Sequence, residues 1–203
     1  MEFLFIVIIL IMSVVIHEVS HGYMALVLGD STAKYQGRLT LNPISHLDPV
    51  GSFFVPLLGY FMGGFIIGWA KPVPFNPYNL KNQKWGEALV AVAGPLSNIF
   101  LAMIFGFIIR FSSNILFVNS AFLKLASFVV LINITLAIFN LMPVPPLDGS
   151  KILFALLPYK WQGLREFLEK FGLVLVLFFV FFIWQIISPL IGYLFILLTG
   201  VAF

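Results

Sequence analysis

The stretch from Phe3 to Leu28, FLFIVIILIMSVVIHEVSHGYMALVL, decides the fold. A membrane-spanning helix needs about 20 predominantly apolar residues, and this run supplies them while carrying His17, Glu18 and His21 in its second half. The run is expected to be retained. Only Met1 and Glu2 precede it, so there is no basic n-region, and it is too long for the apolar segment of a signal peptide. The rest of the composition agrees. Of 203 residues, 61% are hydrophobic and 9% charged, against roughly 25% charged in soluble domains. That count excludes intrinsic disorder, a coiled coil and a nucleic-acid binder. Cysteine is absent, which removes disulfides, thiolate nucleophiles and Cys-ligated metal.

Outward from this run, residues 87–110 and 121–142 read as further spans. Residues 172–187 make a fourth, which Ser188-Pro189 is expected to break from a shorter apolar tail at 190–203. Residues 51–69 contain Pro56 and five glycines, so a bent or re-entrant segment fits them as well as a straight helix. The expected fold is an all-α polytopic membrane protein of four to six transmembrane helices. A re-entrant or β-like segment lies between the first two core helices. One domain is expected over 1–203, with a core at 3–157 and C-terminal membrane helices at 171–203.

Loop charges suggest an orientation. Lys34 and Arg38 lie in the first loop, Lys71, Lys81 and Lys84 in the next, and Lys151, Lys160, Arg165 and Lys170 after the third span. The positive-inside rule puts all three loops in the cytoplasm, provided that 51–69 enters and leaves on one side. The N-terminus is then outside. The alternative, in which 51–69 spans and the charge bias fails at one loop, stays open.

An ionised side chain at mid-bilayer costs at least about 2.5–3.5 kcal/mol, so three ionisable residues within five positions need a common explanation. On a helix, i and i+4 share a face, and His17 and His21 can present two imidazoles to one metal ion. Glu18 projects beside them, where it can take a proton from water. This is the H-E-x-x-H arrangement of zinc peptidases. A catalytic zinc wants a third protein ligand, and His46, Asp30, Asp48, Glu87 and Asp148 are the candidates. Asp148 stands out because it follows the third span in a proline-rich turn, NLMPVPPLDG, that fixes its depth. His46, in the turn-rich NPISHLDPVG, is the rival or a near-site residue.

These motifs resemble the site-2 protease family of intramembrane zinc metalloproteases (peptidase family M50), in its short form without a PDZ domain. The matching segments are His17-Glu-Val-Ser-His21, Asn42-Pro-Ile-Ser-His-Leu-Asp-Pro49, Gly68-Trp-Ala-Lys-Pro-Val-Pro-Phe-Asn-Pro77, Ala93-Gly-Pro-Leu-Ser-Asn98 and Asn140 to Gly149. They run in order from Phe3 to about Leu157, and nothing after Pro158 carries a family signature. The resemblance implies that His17, His21 and Asp148 are similar to the family's zinc ligands and Glu18 to its catalytic base. It further implies one Zn2+ per chain and cleavage of a substrate's transmembrane segment near or within the bilayer.

The remaining expectations concern substrate. The metal would sit roughly 10 Å below the surface, since His21 lies seven residues before the end of the first span. Asn98 and Asn140 could donate to a developing oxyanion or hold substrate backbone; interhelical hydrogen bonding is the other reading of each. Lys71, Pro72 and Val73 open a segment extended by its prolines, and with Ile66 to Trp69 it could form an edge strand on which unwound substrate pairs. An ordinary surface loop anchored by Trp69 is the alternative. The expected partners are a membrane-protein substrate with a transmembrane segment and the lipid bilayer, with no nucleic acid. The expected location is a prokaryotic plasma membrane with the site towards the cytoplasm. Two other readings use the same residues: a metal-ion transporter, in which they form a transit site, and a non-catalytic zinc-binding scaffold. Transit sites are strung along a pathway and usually come with inverted repeats, which this chain lacks.

Overall fold

The apolar runs fold as helices in the computed structural model, which describes residues 2–54, 70–112 and 119–201. In order they are α1 (Glu2–Val27), the one-turn α2 (Thr32–Tyr35), α3 (Gly86–Arg110), α4 (Ser120–Asn140), α5 (Asp148–Leu156), α6 (Gln162–Phe178) and α7 (Trp184–Thr199). Among the described residues, four helical stretches are long and apolar enough to cross a membrane: α1, α3, α4 and the continuous run Gln162–Thr199. There is no β-strand among the described residues.

Two sets of end contacts give the helices their directions. The Lys81 N–H donates to the Leu28 carbonyl at 2.8 Å, so the chain enters α3 at the end where it left α1. At the opposite end, Lys124 of α4 pairs with Glu2 of α1 at 2.6 Å, and Arg110 closes α3 by donating to the Leu197 carbonyl at 2.6 Å. Thus α1 and α4 run one way, and α3 and α7 the other. The re-entrant segment expected at 51–69 falls largely on residues outside those described, as does the β-prone run at 66–69.

Helix α3 sits at the centre, packed against α1, α4, α5 and α7. Its buried side is built from small residues, among them Ala88, Ala91, Ala93, Gly94, Ala102 and Gly106, which let neighbouring backbones approach where lipid gives no hydrophobic drive for association. Its other side exposes Leu89, Leu96, Phe100 and Phe107, a surface suited to lipid. One apolar cluster (Ala102, Ile109, Ala126, Val130, Ile134, Ile191, Phe195) joins α3, α4 and α7. A smaller one (Ala25, Leu80, Val90) pins the loop before α3 onto α1.

The C-terminal region differs from expectation. Helix continues through Ser188-Pro189, and the irregularity is a π-turn at Phe179–Ile183. Proline at 189 cannot donate to the carbonyl four residues back, but the Ser188 hydroxyl donates to that Gln185 carbonyl at 3.2 Å. The helix therefore passes the proline without losing the carbonyl's partner. At 1.5 Å per residue the 38-residue run is about 57 Å long, longer than the bilayer's apolar core of about 30 Å. Its charged first turns, from Gln162 to Lys170, therefore extend beyond that core. Gly200, at φ +77°, ends α7 with its N–H on the Ile196 carbonyl.

Candidate metal centre

Ser13, His17 and His21 stand at i, i+4 and i+8 on α1 and are buried against α3 and α4. The two imidazoles meet edge to face, with centroids 4.6 Å apart. The chain reverses after Asn140, where residues 141–147 form turns that include a cis Pro145-Pro146 bond. It then starts α5 at Asp148, under the end of α4. Gly149 permits this, since a Cβ there would overlap the Leu141 carbonyl. Asp148 Oδ2 then lies 3.1 Å from His17 Nε2 and 3.3 Å from His21 Nε2. Potential ligand atoms of all three residues fall within 4.8 Å of one another.

The second nitrogen of each ring decides what the first can do. His21 Nδ1 is 2.7 Å from the Val90 carbonyl, which only accepts, so Nδ1 carries the hydrogen. His17 Nδ1 is 2.6 Å from Asn98 Oδ1 and donates likewise. In the neutral imidazoles both Nε2 atoms then present lone pairs, aimed at the same carboxylate oxygen. Three acceptors converging this way call for a cation. Two imidazoles and one carboxylate, with the outer nitrogens held by an amide and a carbonyl, are a donor set that fits zinc.

Gly94 makes the close approach of α3 possible. A Cβ at that position would stand 2.5 Å from His21 Nε2 and 2.6 Å from His17 Cε1.

Glu18 turns to the open side. It lines a cavity of about 210 Å3 with His17, His21, Asp148, Pro72, Val73 and Asn140, and its Oε2 accepts the Val73 N–H at 2.9 Å. Residues 70–76 carry no regular secondary structure, with the backbone extended at Asn76. Pro72 and Pro74 have no N–H to offer a neighbour. The Lys71 N–H is spent on the His46 carbonyl, and Arg38 Nη2 donates to the carbonyls of Lys71 and Pro72. The segment is thus an internal strap across Glu18.

The sequence candidates separate clearly. His46 is buried and bonded through Nε2 to the Thr40 carbonyl, in a 3-10 turn away from the three ligands. Asp30 joins two loops, accepting from Thr32, Asn76 and Asn79. Asp48 accepts the N–H groups of Val50 and Gly51. Glu87 lines the cavity but is outside the metal group. The two asparagines also part company. Asn140 borders the cavity and donates from Nδ2 to the Leu136 carbonyl at 3.0 Å. Asn98 is fully buried behind His17, so the interhelical bonding reading describes its surroundings. Ser13 and Asn133, bonded to each other at 2.9 Å behind the site, are not among the sequence candidates. The available signal was Ser13 four residues before His17, and an amide in mid-span at 133.

A bundle of spanning helices closed around a His-His-Asp metal group, with a glutamate on the open side, defines a membrane zinc-peptidase class of protein. The comparisons agree. The model of peptidase family M50 matches residues 115–183, so the family likeness extends past Pro158, where the short motifs show none. A Bacillus subtilis protein, "Putative zinc metalloprotease YwhC", is 38% identical over 194 residues, covering 93% of this chain and 83% of its own. "Putative zinc metalloprotease Rip2" of Mycolicibacterium smegmatis is 29% identical over 140 residues, 68% of this chain and 52% of that one. "Zinc metalloprotease MJ0392" of Methanocaldococcus jannaschii is 29% identical over 159 residues, 78% and 36% of the two chains. No solved structure gives a significant match. The chain belongs to peptidase family M50, the site-2 protease family of zinc metalloproteases.

Proposed function

We propose that this chain is an intramembrane endopeptidase that hydrolyses peptide bonds in or near the transmembrane segments of membrane-protein substrates. The observation that carries the proposal is the shared cavity: Glu18, both histidines and Asp148 border the same space of about 210 Å3 inside a bundle of spanning helices. His17 and His21 through Nε2, and Asp148 through its carboxylate, would hold one zinc. Bound there, zinc supplies Lewis acidity that lowers the pKa of water toward about 7 and polarises a carbonyl. Glu18 accepts at its carboxylate the proton released by the attacking water and returns it to the leaving nitrogen. Asn140, with one amide hydrogen committed to Leu136, has a second for the developing oxyanion. Pro72 and Val73, on the wall beside Glu18, flank the scissile segment of an unwound substrate.

Charge supports an orientation. Arg110 and Lys124 lie at the end of the bundle marked by the Glu2 pair, and the other nine basic residues lie in the loops and in the first turns of α5 and α6 at the metal end. That asymmetry supports a site facing the cytoplasm in a prokaryotic plasma membrane.

The test is cleavage by purified protein in lipid vesicles, using single-span test substrates with and without a zinc chelator, and mapping the cut by mass spectrometry. Zinc-dependent cuts within or beside the apolar segment are expected. Cuts confined to soluble loops, or zinc flux across the vesicle without cleavage, would contradict the proposal.

A further inference from the structure

Behind His17 runs a chain of buried amides that the catalytic reading does not use. Asn133, fully buried on α4, donates from Nδ2 to the Val129 carbonyl and to Ser13 Oγ, each at 2.9 Å. A carbonyl accepts only, so the NH2 end of Asn133 is fixed there and its Oδ1 must face Asn98. Asn98 Nδ2 meets that Oδ1 at 2.7 Å and lies 3.4 Å from the Ser13 carbonyl. The Asn98 amide is thereby oriented with Oδ1 toward His17 Nδ1, at 2.6 Å. Flipping it would set oxygen against oxygen at Asn133.

We infer that Asn133 and Ser13 are positioning residues for the metal centre: through Asn98 they fix the tautomer of His17, keeping its Nε2 lone pair toward the metal position. The inference rests on the metal-site reading above and extends it to two residues that border neither the ligands nor the cavity. Packing alone does not call for them, because apolar replacement of both partners in a buried hydrogen bond can be nearly neutral. A network with its direction fixed by backbone carbonyls does what packing cannot: it orients a ligand. With Asn98 free to turn, His17 would also populate the tautomer with hydrogen on Nε2, which cannot ligate.

Two substitutions separate positioning from structure. Asn133→Leu removes the acceptor that orients Asn98. Zinc affinity, measured by chelator competition, should fall about tenfold, and the visible bands of the Co2+-loaded protein should change, beside a loss in Tm from the Asn98 and Ser13 groups left without their partner. Asn133→Asp keeps an acceptor for Asn98 but buries a carboxyl group, which costs stability in either protonation state. Its Tm should drop while zinc affinity and the Co2+ spectrum stay near wild type. Should Asn133→Leu fail to fold, Ser13→Ala weakens the same anchor and should cost about threefold in zinc affinity, one net hydrogen bond. Zinc affinity that follows Tm across the variants, or that is unchanged in Asn133→Leu and Ser13→Ala, would overturn the inference. Zinc binding unchanged in His17→Ala would instead overturn the metal site itself.

Discussion

Val73 donates its backbone N–H to Glu18 Oε2 at 2.9 Å, so the loop before α3 holds a carboxylate that borders the metal group without belonging to it. The loop is secured on both sides. Arg38 grips the carbonyls of Lys71 and Pro72, and the Val73 side chain packs so closely on α1 that a Cβ at Gly22 would come within 2.7 Å of it. Val73→Pro removes the N–H while keeping an extended backbone. A misplaced general base costs up to about a hundredfold in rate. The variant should therefore show kcat reduced tenfold or more with zinc content intact, measured by single-substrate kinetics and metal analysis. Unchanged kcat would show that Glu18 is positioned by other means.

The third ligand is tested by contrast. Asp148→Ala removes the carboxylate that approaches both Nε2 atoms and should lower zinc affinity by at least a hundredfold. His46→Ala, which loses a bond to the Thr40 carbonyl, should leave zinc binding in place and lower only Tm. Chelator competition and calorimetry on the two variants check this, and the reverse pattern would move the site to His46.

Gly94→Ala puts a methyl group where the imidazole edges of His17 and His21 now lie. Overpacking of this kind costs about 1–3 kcal/mol, and here the strain falls on the ligands. Zinc affinity should drop more than tenfold, with a lowered Tm for the zinc-loaded protein. Wild-type zinc binding in this variant would mean that α3 can move away from the histidines at little cost.

Asp30 gives a pH dependence outside the membrane spans. Burial pushes its carboxyl upward, but hydrogen bonds from Thr32, Asn79 and Asn76 outweigh that and hold it below the usual carboxylate range. A depressed folded-state value stabilises the fold above the unfolded pKa of about 3.9. The contribution disappears as pH falls through the lower folded-state value. Asp30→Asn should therefore cost about 1–3 kcal/mol near neutrality, and its unfolding midpoint should converge with wild type below about pH 4. A gap independent of pH would assign the cost to shape and not to charge.

Much of this architecture was legible because a bilayer makes simple demands. A run of about 20 apolar residues declares a span, and His17 with His21 shows a shared face by spacing alone. Asp148 was legible as a carboxylate held in a rigid turn. What stayed hidden depends on single hydrogen bonds or on helix rotation. The Ser188 hydroxyl that lets the helix continue past Pro189 leaves no mark in composition. Asn98 and Asn140 are chemically identical, and only packing sends one behind His17 and the other to the cavity wall. Prolines mark residues 71–75 as non-helical, but the hydrogen bonds that hold them reach to residues as distant as Glu18 and Arg38.

The most direct measurement of the central claim is zinc content together with peptide-bond cleavage in Glu18→Gln. Glutamine keeps the shape and cannot carry the proton, so the account predicts one zinc per chain, as in wild type, with cleavage reduced by about 10²–10⁴-fold. Cleavage at the wild-type rate in a zinc-loaded Glu18→Gln protein would contradict it.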